Sequence, residues 1–380
     1  MTNAPRYNEV RRWMFDIALP FWARHGVDRM HGGFVEALTL DGKDAGAGFK
    51  RTRVTCRQIH VFSHAAMLGW SDGEAIARDG FGFLTQRTWL GRETGFARTL
   101  TVTGEALDVT PDLYDYAFVL FACAWRHRAS QDPQALEWAH RTLDVIESKL
   151  RHPGGEGYWH RLPATGWREQ NPHMHLLEAA IVLYETSGEA RFGALATSIA
   201  KLFQTRFFDL RTGTLAEFFD DDWNRAPGGD GRIVEPGHQF EWAWILENCR
   251  RLGLAEASEA VRRLVEFGER YGVDPATGVT FNSVNEDGVS IDRGSRTWPN
   301  TERLKAAVAL YELDGTDPEP VFASSSGVLL DRYLSHLPAG AWMDAFDAGG
   351  RPVAANVPAS TFYHVFLAFA EMLRVADRLK

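Results

Sequence analysis

Cysteine is the first scarcity. Cys56, Cys123 and Cys249 are widely separated and odd in number, which excludes a disulfide framework and leaves reduced, buried thiols as the expectation. Basic charge is short as well: 41 Lys and Arg stand against 50 Asp and Glu, a formal net charge of -9. That balance argues against an extended nucleic-acid footprint and against a polybasic membrane anchor. It also disfavours long-range attraction of a strongly anionic substrate, although a local arginine pocket can overcome it. Long apolar runs are missing. The N-terminal MTNAPRYNEVRRW lacks the apolar core of a signal peptide, and nothing later resembles a membrane span, so a cytoplasmic protein is expected. The sequence has no HExxH, no CxxC pair, no GxGxxG after a strand and no GxxxxGK[ST], and so supports neither an obligatory metal nor a nucleotide cofactor. His173 and His175 alone are a weak zinc signal. The acids of FFDDDWNRAPGGDG lack the spacing of a twelve-residue calcium loop and read as a solvated turn. No Pro/Ser-rich linker divides the chain, so one domain over residues 1–380 is expected.

What the chain does have is aromatic bulk and a recurring layout. Thirteen Trp, 24 Phe and 9 Tyr suit a carbohydrate cleft or a large helical core equally, and decide nothing alone. The layout decides more. Gly33, Gly95, Gly157, Gly213, Gly278 and Gly340 each open a short strand-like segment, at successive separations of 62, 62, 56, 65 and 62 residues. Between them lie paired apolar helical stretches: 110–129 with 133–150, 169–187 with 189–208, 235–252 with 256–272, and 297–314 with 318–335. Helical patterns over 6–24, 54–68 and 75–90 precede these, and one over 358–377 follows. Such a period with little residue identity is a structural repeat. Six helix pairs, with apolar helices at both ends where a solenoid would need polar caps, predict closure rather than an open array. The expected fold is all-α, an (α/α)6 barrel: six helical hairpins in a closed double ring, with short β-hairpin insertions at one mouth. The last helix would pair with the first.

In such a ring the inner helix ends converge on a cleft, and the uncommon polar residues there carry the interest. His238 and Glu241, in EPGHQFEWAW, stand three apart and share a helical face among Phe240, Trp242 and Trp244. Burying both is costly unless they are paired or used; an ordinary capped helix entrance is the plainer alternative. Arg57 sits in the largely apolar RTRVTCRQIHVF, where its fork would want several acceptors, as a polyhydroxylated ligand provides. Asn171 and His175, in NPHMHLLEA, are four apart on one face; Asn171 could equally cap its helix. Glu302, in WPNTERLKA, has the ordinary role of an acid in a first turn. His364 lies in the apolar PASTFYHVF with no carboxylate within four residues.

Taken together in order, RTRVTCRQIHVF, DLYDYAFVLFA, NPHMHLLEA, EPGHQFEWAW, WPNTERLKA and PASTFYHVF resemble the N-acylglucosamine 2-epimerase superfamily over essentially the whole chain. The resemblance implies a cofactor-free sugar isomerase or epimerase on an (α/α)6 barrel. It implies His238 and His364 as the acid/base pair, Arg57 as a catalytic cleft residue, and Asn171, His175, Glu241 and Glu302 around the substrate. The Pro-Ala-Ser-Thr segment before Tyr363 is more similar to the D-mannose isomerase and sulfoquinovose isomerase branch. Interconversion of D-mannose and D-fructose, with D-lyxose and D-xylulose as a further pair, is therefore the expectation. A 2-epimerase of mannose, glucose, an N-acylated sugar or a disaccharide remains the alternative, as does an isomerase of an anionic sugar that Lys50, Arg51 and Arg53 would serve. The partner is a small monosaccharide, and a homodimer is the family's suggestion.

Overall fold

The computed structural model describes residues 6–336 and 338–379. Among these lie twelve helices: α1 (7–25), α2 (Thr52–Met67), α3 (73–88), α4 (Leu113–Ser130), α5 (133–150), α6 (Asn171–Ser187), α7 (190–207), α8 (Pro236–Arg251), α9 (Ser258–Tyr271), α10 (Thr297–Asp314), α11 (319–333) and α12 (Thr361–Ala376). The even-numbered helices form an inner ring. Each packs on the next even-numbered helix, and α12 packs back on α2. Each odd-numbered helix lies outside against an even neighbour, and α1 covers α12. The (α/α)6 barrel expected from the repeat is what the chain forms.

Composition separates the rings. The inner α12, TFYHVFLAFAEMLRVA, is buried on nearly every side, as a helix that is apolar all round must be. The outer α9 buries Ala260, Val261, Leu264, Val265, Phe267 and Gly268 while Arg262, Arg263 and Glu266 face solvent. Asp112 starts α4 by accepting from the Tyr114 and Asp115 amides, and the left-handed Gly188 and Gly315 end α6 and α10. Five of the six outer helices contain a π-helical turn, four of them as their last turn; no sequence signal announced these.

All six repeat glycines have positive φ. At Gly157 the demand is double: φ is +65°, and an added Cβ would come within 3.0 Å of Trp223, Leu202 and His173. Each glycine turns the chain back from an outer helix toward the start of an inner one, so the strands gather at the mouth where inner helices begin. They do more than close hairpins. Phe49–Arg51 pairs with Thr99–Thr101, Arg168–Glu169 with Phe218–Phe219, and Ile233–Val234 with Ser283–Asn285. Ser295–Arg296 pairs with Ala345–Phe346, and Ala37–Thr39 with Asn356–Pro358. Strands of two or three residues are too short to hold alone, and pairing them across repeats ties each hairpin to its neighbour. These remain separate small sheets. At the seam, Trp22 stacks on Trp342 and Phe362 and donates from its indole to Gly340 O at 3.1 Å. No described helix is long and apolar enough to cross a membrane. Cys56, Cys123 and Cys249 are free and buried.

Candidate active site

The first two turns of all six inner helices supply the side chains of interest: Arg57 from α2, Tyr114 from α4, Asn171 and His175 from α6, His238 and Glu241 from α8, Trp298 and Glu302 from α10, and His364 from α12. Six helix N-termini therefore point their amide dipoles toward one mouth, which favours negative charge there. The seven residues singled out in the sequence all belong to this mouth, although not in the pairings the sequence suggested.

His238 takes its partner from outside its own helix. Its Nδ1 lies 2.9 Å from Glu217 Oε2, with Glu235 Oε2 at 4.0 Å. Burial works against its charge, yet these two carboxylates overcome that penalty and raise the imidazole to about 9. His238 is thus an imidazolium at neutral pH. Gln170 Nε2 donates to the same Glu217 Oε2 at 2.9 Å and holds it in place. Glu241, three residues from His238, belongs to a different cluster.

His364 is the opposite case. Its Nδ1 lies 2.8 Å from Glu302 Oε1, a carboxylate 62 residues away. That carboxylate is shared, because the fully buried Lys305 Nζ stands 2.6 Å from Glu302 Oε2 and 3.9 Å from Glu241 Oε1. Burial, with Arg57 and Lys305 nearby, holds His364 well below the usual histidine range. It is neutral, and the Glu302 contact orients the ring with Nδ1 toward the carboxylate and Nε2 free. Both rings flank Trp298, with centroids 5.0 Å from His238 and 5.7 Å from His364. Trp298 is therefore flanked by a charged and a neutral imidazole.

Below them lies a buried ionic floor. Burial and the neighbouring Glu302 push Glu241 well above the carboxylate range, against the pull of Lys305. Burial opposes the charge on Glu178, but His175 Nδ1 at 3.0 Å and the Tyr363 hydroxyl at 2.6 Å keep it ionised. Burial in turn holds His175 neutral, at about 4. Arg57 donates from Nη2 to the Tyr114 hydroxyl at 2.6 Å and from Nη1 to Ser360 O at 3.3 Å, and lies over the Phe118 ring at 4.3 Å. Asn171 does not cap α6; its Oδ1 is buried without a partner. Arg57, Tyr114, Asn171 and Ser360 line a mouth cleft of about 300 Å³.

Several neighbours were not legible beforehand. Glu178 and Lys305 stand three residues beyond His175 and Glu302, a spacing that could have flagged them. Glu217 lies 21 residues before His238 and carries no local sign. His173 is structural: its Nε2 accepts from the Tyr158 amide at 3.0 Å and Nδ1 donates to Glu169 O at 3.2 Å. Lys50, expected near the mouth with Arg51 and Arg53, instead sits buried on Asp28 at 2.8 Å, because the strand that exposes Arg51 turns the adjacent side chain inward. The Asp220–Asp222 turn is closed on itself, with Asp220 accepting from the Asp222 and Asn224 amides. Among the described residues, three His/Glu groups could offer metal ligands: His175, Glu178 and Glu241; Glu217, Glu235 and His238; Glu241, Glu302 and His364. In each, the histidine Nδ1 that is brought near is engaged by a carboxylate.

The family model for N-acylglucosamine 2-epimerase (GlcNAc 2-epimerase) matches residues 32–368. A protein of Rhizobium meliloti named mannose-6-phosphate isomerase is 38% identical over 375 residues, covering 96% of each chain. A D-mannose isomerase of Thermobifida fusca is 26% identical over 289 residues, 70% of each. Among solved structures, a cellobiose 2-epimerase of Spirochaeta thermophila superimposes with a TM-score of 0.86 at 27% identity, over 98% of this chain and 97% of that one. With this match along its length and histidines, arginine and carboxylates gathered at one mouth, the chain belongs to the N-acylglucosamine 2-epimerase family, as a sugar isomerase or epimerase acting on an aldose or ketose.

Proposed function

We propose that this protein interconverts D-mannose and D-fructose, with D-lyxose and D-xylulose as a second pair, through ring opening and a cis-enediol. The observation that carries the reading is the pair of imidazoles on Trp298 in opposite charge states. Opening a pyranose requires a proton at the ring oxygen as the anomeric hydroxyl loses one. His238, held as an imidazolium, gives its proton to the ring oxygen, takes one back from the anomeric hydroxyl, and then passes a proton from O2 to O1. Neutral His364 removes the C2 proton through Nε2 and returns it to C1 on the same face. Electrons move from the C2–H bond toward the aldehyde, and negative charge develops on oxygen. Arg57 and the converging helix N-termini stabilise that enediolate. Asn171, His175 and the Glu241 carboxyl offer hydrogen bonds to sugar hydroxyls, and Glu302 keeps His364 in register. No step needs a metal or an organic cofactor.

The isomerase names of the Rhizobium and Thermobifida relatives support isomerisation of a mannose skeleton. The first of those names, with the arginines at the mouth, favours a second reading in which that skeleton is phosphorylated. Epimerisation at C2 would use both histidines on opposite faces of the same enediolate. Product analysis separates the outcomes. Purified protein given D-mannose should form D-fructose with little D-glucose; glucose appearing first would mean epimerisation, and release of a smaller sugar from a disaccharide would mean hydrolysis.

A further inference from the structure

The inner helices that open on the active-site mouth enclose a second cavity toward their other ends. It holds about 290 Å³ and takes its walls from the C-terminal halves of α2, α4, α6, α8 and α12. Of the buried ionic floor described above, Glu178 alone lines it. Ile181, Val182, Ile245 and Leu367 are its buried apolar wall, joined by the half-buried Trp244. Arg128, Arg251 and Arg378, with side chains 32%, 40% and 52% exposed, stand at its opening. The reaction proposed for the opposite mouth uses none of these apolar or arginine side chains.

Charge around this cavity cancels. Arg128 pairs with Glu185 at 3.0 Å, Arg251 with Glu312 at 2.8 Å and Arg374 with Glu371 at 2.6 Å, while Arg378 meets Glu312 at 3.4 Å. With Glu178, four guanidinium groups stand against four carboxylates. An anion would meet those carboxylates and the carbonyl ends of five helices, and a cation would meet the guanidinium groups. Hydrogen-bonding capacity is left over all the same. Arg128 and Arg251 spend only Nη1 on their carboxylates, and Asn248 donates from Nδ2 to Trp244 O at 2.9 Å, leaving Oδ1 as an acceptor.

Two of the walls touch the reacting end. Glu178 holds His175 Nδ1 at 3.0 Å and the Tyr363 hydroxyl at 2.6 Å. The Trp244 ring lies 4.4 Å from Lys305 Nζ, and Lys305 binds Glu302, the partner of His364. We propose that this cavity is a second, regulatory site for a neutral polyhydroxylated molecule, a monosaccharide or a polyol, whose binding is felt at His175 and His364 through Glu178 and Trp244. Hydroxyls donate and accept at once, which suits paired charges with spare N–H groups beside an amide oxygen. The carbon–hydrogen face of such a molecule suits Trp244 and its aliphatic neighbours. The site itself does not rest on the isomerase reading; only its effect on mannose turnover does.

Equilibrium dialysis tests it with two labelled probes, methyl α-D-mannopyranoside, whose ring cannot open, and D-mannitol, which has none. For the probe that fits, the wild type should bind one molecule per chain more than Asn248→Trp, whose indole fills the cavity. Asn248→Leu, close in size, removes the amide and should weaken binding there by about 2- to 10-fold; it decides the matter if the tryptophan variant does not fold. With D-mannose as substrate, the same probe should alter kcat by about twofold or more in the wild type and act on KM alone in Asn248→Trp. Equal numbers bound for both probes, an unchanged affinity in Asn248→Leu, or an effect on KM alone in the wild type overturns the site. Release of the label by D-glucosamine or D-glucuronate at lower concentration than by D-glucose overturns the neutral class. Folded protein that binds the extra molecule but converts no mannose overturns the isomerase reading and leaves the site standing.

Discussion

At the residue scale, the account turns on two histidines made unlike by what stands behind them. His238 faces Glu217 and Glu235; His364 faces a carboxylate already shared with Lys305. The sign follows directly. His238 is needed as an acid and is lost as pH rises through about 9, whereas His364 stays neutral through the neutral range. kcat/KM for mannose should therefore hold through neutral pH and fall on the alkaline side near that value. Glu217→Gln should move the alkaline limb toward the ordinary histidine pKa of about 6.5; a limb that stays put would remove His238 as the acid. Lys305 tests the floor. Replacing it by Met leaves Glu302 and Glu241 without their buried cation, which should cost about 3–5 kcal/mol in urea unfolding. These partners were only partly legible. The sequence offered His238, Glu241, Glu302 and His364 as isolated points, and it suggested a His238–Glu241 link because they share a face. The partner of His364 comes from another helix and that of His238 from a loop 21 residues earlier, distances at which periodicity carries no signal.

At the scale of elements, the helices were legible and the strand pairing was not. Buried inner helices and amphipathic outer ones announce themselves by composition and period, and the six glycines mark each turn from outer helix to mouth. Strands of two or three residues have no such pattern; their partners are set by which repeat lies next in the ring. The π-helical turns are silent for a related reason, since one extra residue in a turn barely alters apolar spacing. The glycine turns make a prediction of their own. Gly157→Ala adds a Cβ at a φ of +65° against Trp223, Leu202 and His173. It should destabilise by about 1–3 kcal/mol, read as a lowered thermal midpoint, and disturb the Tyr158–His173 hydrogen bond beside α6. Alanine at a half-buried glycine such as Gly82, which has an ordinary φ and room for a Cβ, should cost much less.

At the scale of the whole molecule, closure of the ring is what brings six helix starts to one mouth. The seam is held by α1 on α12, by Ala37–Thr39 on Asn356–Pro358, and by the Trp22, Trp342 and Phe362 stack. A chain lacking residues 1–25 would uncover that stack and the outer face of α12, where Phe362 and Phe369 meet Trp13, so it should lose both solubility and activity. Chelator treatment belongs at this scale as well. The His/Glu groups at the mouth have the makings of ligand sets, but proton transfer between two imidazoles needs none, so chelated protein should retain its activity. Activity that disappears and returns with one divalent ion would hand the chemistry to those groups.

The most direct measurement of the central claim is hydrogen–deuterium exchange during turnover of D-mannose in D₂O, followed by NMR in the wild type and in His364→Gln. The account predicts deuterium entering D-fructose at C1 in the wild type, and loss of that exchange by about 10²–10⁴-fold in His364→Gln, even with His238 intact. Normal exchange in His364→Gln, or deuterium accumulating at C2 of D-glucose before any fructose forms, would contradict it.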